Sequence, residues 1–538
     1  MPEQSSSRFR FWRWLGPALI LVALLFGLTL AYSIYRARPI LEKRIIETLT
    51  AQFEGNVELS GLSVSIANGF TVSGSGLKVH GWSAEAPVQA GTPPLLTVQN
   101  FRFQIGWSSL LRSPMHVHSV AVQGMVLGIP PRENRPQIRN VGKWSKKISI
   151  IVDELVCNDA QLVIYSSKPG KDPLTFDISQ LKMEGVGRGM PMRFEATLTN
   201  PRPVGDIRSV GKFGPFDNGE PSDTPVLGDY SFTNADLGTL RGIGGILSSV
   251  GNYHGTLGRI EVDGATDTPD FRLARSGHPV GLHTDFHAIV NGTDGDTYLE
   301  PVKARFLHTA FTAQGKVVKV KSPAGHDIEL NVVLDGARIE DLLVLGVKTE
   351  PPVMSGPVAM RTRMSLPPGP DDISDRLKLS GTFDISSAEF SNDKIQDRID
   401  ALSLRAQGKA KLAQEHLDVN AHSKISGTFR LDQGAFTFSE LNFTIPGAHS
   451  EVRGQYSLDG NVFDFHGKLM LDAKLSQMTT GWKSILLKPV DPFFSKHGAG
   501  TELPFKITGT RSEPHFGLDF GHHDAEVDPK EAEVPHTK

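Results

Sequence analysis

The chain has 538 residues, 39% of them hydrophobic and 21% charged, with a formal net charge of −3. That is enough apolar material for two or more domains or one elongated one, and there is no basic excess to neutralise a phosphate backbone, so no nucleic-acid partner is expected. The single cysteine, Cys157, forbids an internal disulfide and any cluster of thiolate ligands.

In chain order, residues 1–14 form a short basic leader with Arg8, Arg10 and Arg13, and the uncharged run LGPALILVALLFGLTLAYSIY follows from Leu15 to Tyr35. At about 1.5 Å per residue that run spans a hydrocarbon core of about 30 Å, and Trp12, Trp14, Tyr32 and Tyr35 stand where headgroup-level rings belong. It is expected to be a single transmembrane anchor with the N-terminus cytoplasmic. The competing reading, a cleaved signal peptide ending near Ala31 and Ser33, requires a shorter apolar run than this one. From 36 to 56, Leu41, Ile45, Leu49 and Phe53 recur every four residues, which predicts an amphipathic linker helix, packed on the body or lying on the membrane surface.

At Val57 the hydrophobic period changes to two. VELSGLSVSIANGFTVSGSGLKVHGW reads as short strands, and PLLTVQNFRFQIGWSSLL continues them with Phe101, Phe103, Ile105 and Trp107 on one face and Arg102 and Gln104 on the other. This first β segment is expected over 57–200. The proline and glycine density of 201–228 predicts a long loop or subdomain boundary. A middle β segment is expected over 229–364, with one short helix in NADLGTLRGIGGILSSVG capped by Asn234 or Asp236 and another in ARIEDLLVLGV. SLPPGPDDISDR, 365–376, reads as a linker.

The alternation is clearest over 377–521. LSGTFDISSAEF and ISGTFRLDQGAFTF share Ser-Gly-Thr-Phe and look like a weak repeat of strand, turn and strand, reaching aromatics at Phe390 and Phe436. VFDFHGKLMLDAKL places Phe463, Phe465, Leu469 and Leu471 on one face and Asp464, His466, Lys468 and Asp472 on the other. LPFKITG and HFGLDF are the last strands. The tail, 522–538, has no aromatic residue and is expected to be disordered.

No catalytic constellation can be nominated. The histidines show no His-Glu-x-x-His spacing, and His116 and His118 share a strand face more in the manner of scattered polar residues than of ligands. Asp294-Gly-Asp296 lacks the full calcium-loop pattern and reads as a hairpin turn. The glycine clusters at 185–189 and 242–245 match no phosphate or dinucleotide loop, and no nucleophile elbow stands at a strand-to-helix turn. An enzyme is therefore not expected, nor a cofactor, nor a metal site.

The order of parts resembles the AsmA family of bacterial envelope proteins. The resemblance rests on the N-terminal span, on VELSGLSVSIANGFTVSGSGLKV and PLLTVQNFRFQIGWSSLLRSPMHVHSVAVQGMVLGIP, and on GTFDISSAEF, IDALSLRAQGK, LMLDAKL and GAGTELPFKITGTRSEPHFGLDF. It covers roughly 15–130 and 377–520. It implies an inner-membrane anchored periplasmic protein built as a repeating β-groove that carries phospholipid between membranes, related in architecture to the longer TamB-like proteins and to eukaryotic bridge-like lipid transfer proteins. The chain departs from TamB in its shorter length and acidic tail, which leaves docking on an outer-membrane barrel in doubt.

The fold expected is mainly β: an N-terminal transmembrane helix followed by an elongated, curled antiparallel sheet with a few short helices. A sheet with one continuous apolar face must cover that face or use it, and the alternative to a groove is a sandwich or solenoid whose apolar faces pack together. The residues expected to line a lipid groove are Phe101, Phe103, Ile105, Phe436, Phe438, Phe463, Phe465, Leu469, Leu471, Phe505, Ile507, Phe516 and Leu518. Expected partners are phospholipids, the inner membrane and a periplasmic or outer-membrane protein; the competing function is a periplasmic scaffold acting through protein contacts. A reporter active only in the periplasm, fused near residue 300, should be active, because no second hydrophobic run of about 18 residues follows the first. Activity of a cytoplasmic reporter there would overturn the envelope reading.

Overall fold

The structure is a computed structural model describing residue 43 and the stretches 56–65, 70–80, 94–105, 115–129, 150–165, 173–187, 190–201, 203–215, 220–274, 278–321, 324–348, 350–414, 421–457, 462–480, 488–489, 491, 500–510 and 513–519. The expected anchor, nearly all of the linker helix and the acidic tail lie outside the described residues. Among the described residues no helix is long and apolar enough to cross a membrane.

Among the described residues twenty-six strands make one sheet. The first group is β1 (Asn56–Glu58), β2 (Gly61–Ser65), β3 (Phe70–His80), β4 (Leu96–Ile105), β5 (Met115–Ile129), β6 (Ile150–Ile164), β7 (Leu174–Val186), β8 (Met192–Pro201) and β9 (Val204–Phe213). The middle group is β10 (Pro225–Asp236), β11 (Ile243–Gly244), β12 (Ile246–Thr256), β13 (Arg259–Leu273), β14 (Val280–Val290), β15 (Thr297–Phe306), β16 (Thr309–Lys321), β17 (Ala324–Arg338), β18 (Met354–Ser355) and β19 (Pro357–Leu366). The last is β20 (Lys378–Phe390), β21 (Ser423–Asp432), β22 (Ala435–Ile445), β23 (Ala448–Ser457), β24 (Val462–Leu471), β25 (Thr501–Thr510) and β26 (Pro514–Leu518).

Each strand pairs with its sequence neighbours, save that β1, β11 and β18 are short pieces that pair on β3, β13 and β20 beside longer strands. All pairings are antiparallel except β5 with β6, which runs parallel from Met115↔Ile150 to Ile129↔Ile164. There the chain must return the length of a strand before pairing again, so the expected all-antiparallel sheet is corrected at this one step. Period-2 alternation explains the strands, but many do not alternate throughout. At Gly76, Gln99, Gly124, Asp159 and Ser179 five adjacent strands step out of alternation side by side, so inward residues fall three apart: Gly74 and Leu77, Val98 and Phe101, Val122 and Met125, Cys157 and Ala160, Ile178 and Leu181. Gly76 and Gly124 have φ of 65° and 64°, a backbone that favours glycine, and such bulges bend and twist the strands that carry them.

The sheet curls until its two rims touch. Lys319 at the end of β16 donates from Nζ to the Pro173 carbonyl just before β7, 3.2 Å away and eight ladder steps back. Arg241, after β10, bridges to the β19–β20 connection: its Nη1 donates to the Pro370 carbonyl at 2.7 Å and its carbonyl accepts from the Ile373 N–H at 3.2 Å. Both bridges join one rim to the other with a similar offset, as the native twist of a long sheet produces. Ion pairs face outward across neighbouring strands, including Lys182 with Glu154, His283 with Asp267, and Lys424 with Asp384.

The helices sit on one rim: α1 (Ile339–Gly346) after β17, and α3 (Asp393–Ala406) with α4 (Ala410–Gln414) between β20 and β21; α2 (Ile373–Arg376) lies in the β19–β20 connection on the opposite rim. Three sequence expectations are corrected. Residues 201–228 are not a long loop, because the prolines fall in the turns and at strand ends and β9 and β10 occupy most of the segment. The helix expected after Asp236 is a three-residue 3-10 turn, Leu237–Thr239, with Asp236 as its cap; the glycines that follow favour the strand pieces β11 and β12. LSGTFDISSAEF falls within one thirteen-residue strand, and its Ser-Gly-Thr-Phe lies antiparallel to the second copy, with Gly381 opposite Phe429 and Phe383 opposite Gly427.

Asp341 of α1 is buried at 3% exposure, and its Oδ2 accepts from the His308 N–H at 2.9 Å and the Thr309 hydroxyl at 2.8 Å, locking the helix to the β15–β16 turn. Asp341→Ala leaves the buried Thr309 hydroxyl and the part-buried His308 N–H without this acceptor and should cost about 2 kcal/mol in chemical or thermal unfolding. Exposed Asp335→Ala is the control, and equal stability of the two variants would refute the role given to this contact.

Candidate functional site

Residues that pair directly across a sheet turn their side chains to the same side, so the register can be followed from strand to strand. From Val72 and Phe103 through Val120, Leu155 and Met183 it leads to Phe194 and Gly211, then Gly228, Tyr253, Val262 and Ala288. It continues through Leu299, Gly315, Leu330, Met364, Leu379, Leu431 and Phe436 to Tyr456, Phe463 and Gly509. These positions belong to one side of the sheet, the less exposed one. On β10, Val226 and Gly228 are buried on this side while Leu227 is 49% exposed on the other. Among the described residues no second layer of helix or sheet is laid along this face, so curvature shelters it.

All thirteen residues expected from the sequence lie on this face, but in three environments. Phe101 and Ile105 are buried, Phe101 in a cluster with Val72, Val98, Val122 and Cys157; Phe103 packs against that cluster and stacks on Phe101 with centroids 6.0 Å apart. Leu471 is 4% exposed in a cluster with Ala406 of α3, Ile445 and Ala448, and Leu469 packs against it. These are core positions rather than open lining. Phe436, Phe438, Phe463, Phe465, Phe505 and Ile507 are half-buried. The first four continue an aromatic run with Phe383 and Phe429, neighbouring centroids lying 6.0 to 6.5 Å apart, a separation typical of favourable ring pairs. Phe516 and Leu518, on the last strand, are 74% and 50% exposed.

The sequence reading missed the middle of the face. Phe232, Phe286, Phe311 and Met360 alternate on β10, β14, β16 and β19, a signal diluted by glycines and bulges. It also missed a patch of hydroxyls on β9 to β14. There the Ser209 Oγ and Tyr253 OH lie 2.6 Å apart, the Tyr230 OH and Ser249 Oγ 3.1 Å, and the hydroxyls of Thr266 and Thr284 2.5 Å. Burial pushes the pKa of both phenols upward, the serine hydrogen bonds opposing it, so both rings are neutral.

Cys157 is buried, and desolvation pushes its thiol up to about 11, away from the reactive thiolate. The Asp153 carboxylate lies 3.8 Å from His116 and 3.4 Å from His118, and among the described residues no group of three or more His, Cys, Asp or Glu side chains is arranged to hold a metal ion. Asp294 sits in the β14–β15 turn and accepts from the Asp296 N–H at 3.0 Å, as a turn carboxylate does. Comparison with protein-family models and with curated proteins finds no match to the chain.

The two environments separate under substitution. Leu471→Asp should place a charge in the α3 cluster and cost about 4 kcal/mol or more, whereas Phe465→Asp, reached by water, should cost about 1 to 2 kcal/mol. Thermal unfolding of both variants tests this, and equal losses would contradict the distinction between core and open face.

Proposed function

We propose that this is a membrane-anchored envelope protein whose curled sheet is a groove for phospholipid acyl chains, moving lipid between membranes. The observation that carries the reading is the face itself: largely apolar but for the hydroxyls on β9 to β14, continuous in register over the ladder from β3 to β26, sheltered by curvature and not filled by a second layer among the described residues. Twenty-two strands in succession, about 4.8 Å apart, give a path of roughly 100 Å along the sheet, a length suited to spanning between two surfaces. A half-buried phenylalanine row leaves apolar area that gains roughly 25 cal/mol per Å2 when an alkyl chain covers it. The resemblance to the AsmA family points the same way, and the hydrophobic run 15–35 supplies the anchor.

One observation favours the scaffold reading. β26 pairs on one side only among the described residues and exposes Phe516 and Leu518, and a free edge with apolar side chains is a template for strand addition by another protein.

The test uses full-length protein loaded with phospholipid that carries a photoreactive group on its acyl chain, with cross-linked positions mapped by mass spectrometry. Cross-links should concentrate on Phe383, Phe438, Phe465 and their neighbours rather than on outward positions such as Lys424 and Lys468, and Phe438→Asp with Phe465→Asp should reduce them while leaving the protein folded. Cross-links spread equally over both faces would remove the lipid reading and leave the scaffold.

A further inference from the structure

The hydroxyl patch divides the apolar face, and its proton arrangement is specific. Ser209 donates to the Asp229 carbonyl at 3.1 Å, so the proton between Ser209 and Tyr253 comes from the phenol. Ser249 donates to the Ala265 carbonyl at 3.0 Å, so Tyr230 in turn donates to Ser249. Both phenolic protons are thereby committed to the sheet, and the lone pairs of both phenol oxygens are the groups left to offer. Between Thr266 and Thr284 one hydroxyl donates to the other.

Glycines hold the rings down in this position. A Cβ on Gly228 would stand 2.7 Å from the Tyr253 OH, one on Gly251 2.8 Å from a Tyr230 ring carbon, and one on Gly264 2.6 Å from the Tyr230 OH. The rings therefore lie across neighbouring strands, with no room for larger residues beneath them. None of the six hydroxyl-bearing residues carries a charge, so nothing among them attracts a bare phosphate. Phe232 and Phe286 border the patch, Phe232 opposite Ser249 and Phe286 opposite Gly264.

Resting on the lipid reading above, we propose that this patch is a headgroup subsite for lipids whose polar end donates hydrogen bonds, through a primary ammonium or hydroxyl, with their chains lying on the apolar stretches to either side. A trimethylammonium end has no hydrogen to donate and gains nothing there. The phenols stay neutral because burial raises their pKa, so they remain acceptors across the ordinary pH range.

Full-length protein would be loaded from vesicles of three lipids with identical acyl chains and ethanolamine, glycerol or choline headgroups, each with a photoreactive group on the first chain carbons. Cross-linking to residues 207–290 should favour ethanolamine and glycerol lipids over choline lipid by about fivefold, the equivalent of one net hydrogen bond, and should show no such preference around Phe438 and Phe465. Tyr230→Phe with Tyr253→Phe should bring the ratio to about one without changing total bound lipid; Tyr230→Phe or Tyr253→Phe alone should lower it part of the way and serves should the double variant fail to fold, and a folded variant that keeps the full ratio would overturn the subsite. Cross-links on the whole face with equal yields for the three headgroups would overturn the subsite and leave the groove standing. Absence of cross-links anywhere on the face would remove the groove and the subsite together.

Discussion

Register governs this molecule. A strand in a ladder has no freedom to choose which side chains it turns inward once its neighbour is fixed, and a slip of one residue would move a whole apolar set to the wet side. Here one choice of side is carried from Val72 on β3 to Phe516 on β26. It survives the irregular positions in two ways: in one row of strands the steps out of alternation are matched from strand to strand, and elsewhere, as on β10, β15 and β22, one strand takes an extra residue as a bulge while its partner keeps alternating. The Gly76, Gly124 and Asp159 row is the clearest case: five strands change phase together and the apolar face continues on both sides of the crease.

What was legible in the sequence follows from that. Alternation identified the strands at both ends and placed Phe463, Phe465, Leu469 and Leu471 on one side, as the pairing with β25 places them. Phase changes inside strands were not legible. On β22, Phe438 and Leu441 both face inward, three residues apart, and strict alternation would have put Leu441 outside. The chain of β9 was hidden by its composition, since prolines at turns and glycines on the sheltered side resemble a loop when read without neighbours. Helix α3 was missed although Asn392 caps it and Ile395, Ile399, Leu402 and Ala406 follow helical spacing, because the strong β pattern on either side set the expectation.

The degree of burial was the least legible quantity. Leu471 and Phe465 read alike in a strand of fourteen letters, yet one is covered by α3, whose residues come about seventy positions earlier, and the other is not. Nothing local distinguishes them. The same holds for Phe101 and Phe436, one enclosed by the tightly curled first strands and one part of an open aromatic run. Periodicity reports which side a residue faces, and only the tertiary arrangement reports what stands opposite.

Because almost every strand is bonded only to the strands before and after it, the molecule is closer to a linear array than to a globule. Its stability is then a sum of nearest-neighbour terms, with few long-range closures to make the whole unfold at once. Structure can form locally and spread, which is kinetically favourable for so long a mainly β chain, and among the described residues the terminal strand β26 is held from one side only. The parallel β5–β6 step is the exception, a junction that requires a long return of the chain before it can close. The consequence is mechanical as well: a load applied along the sheet is borne in series, so its resistance to extension is set by the weakest single strand pair and not by the total number of hydrogen bonds.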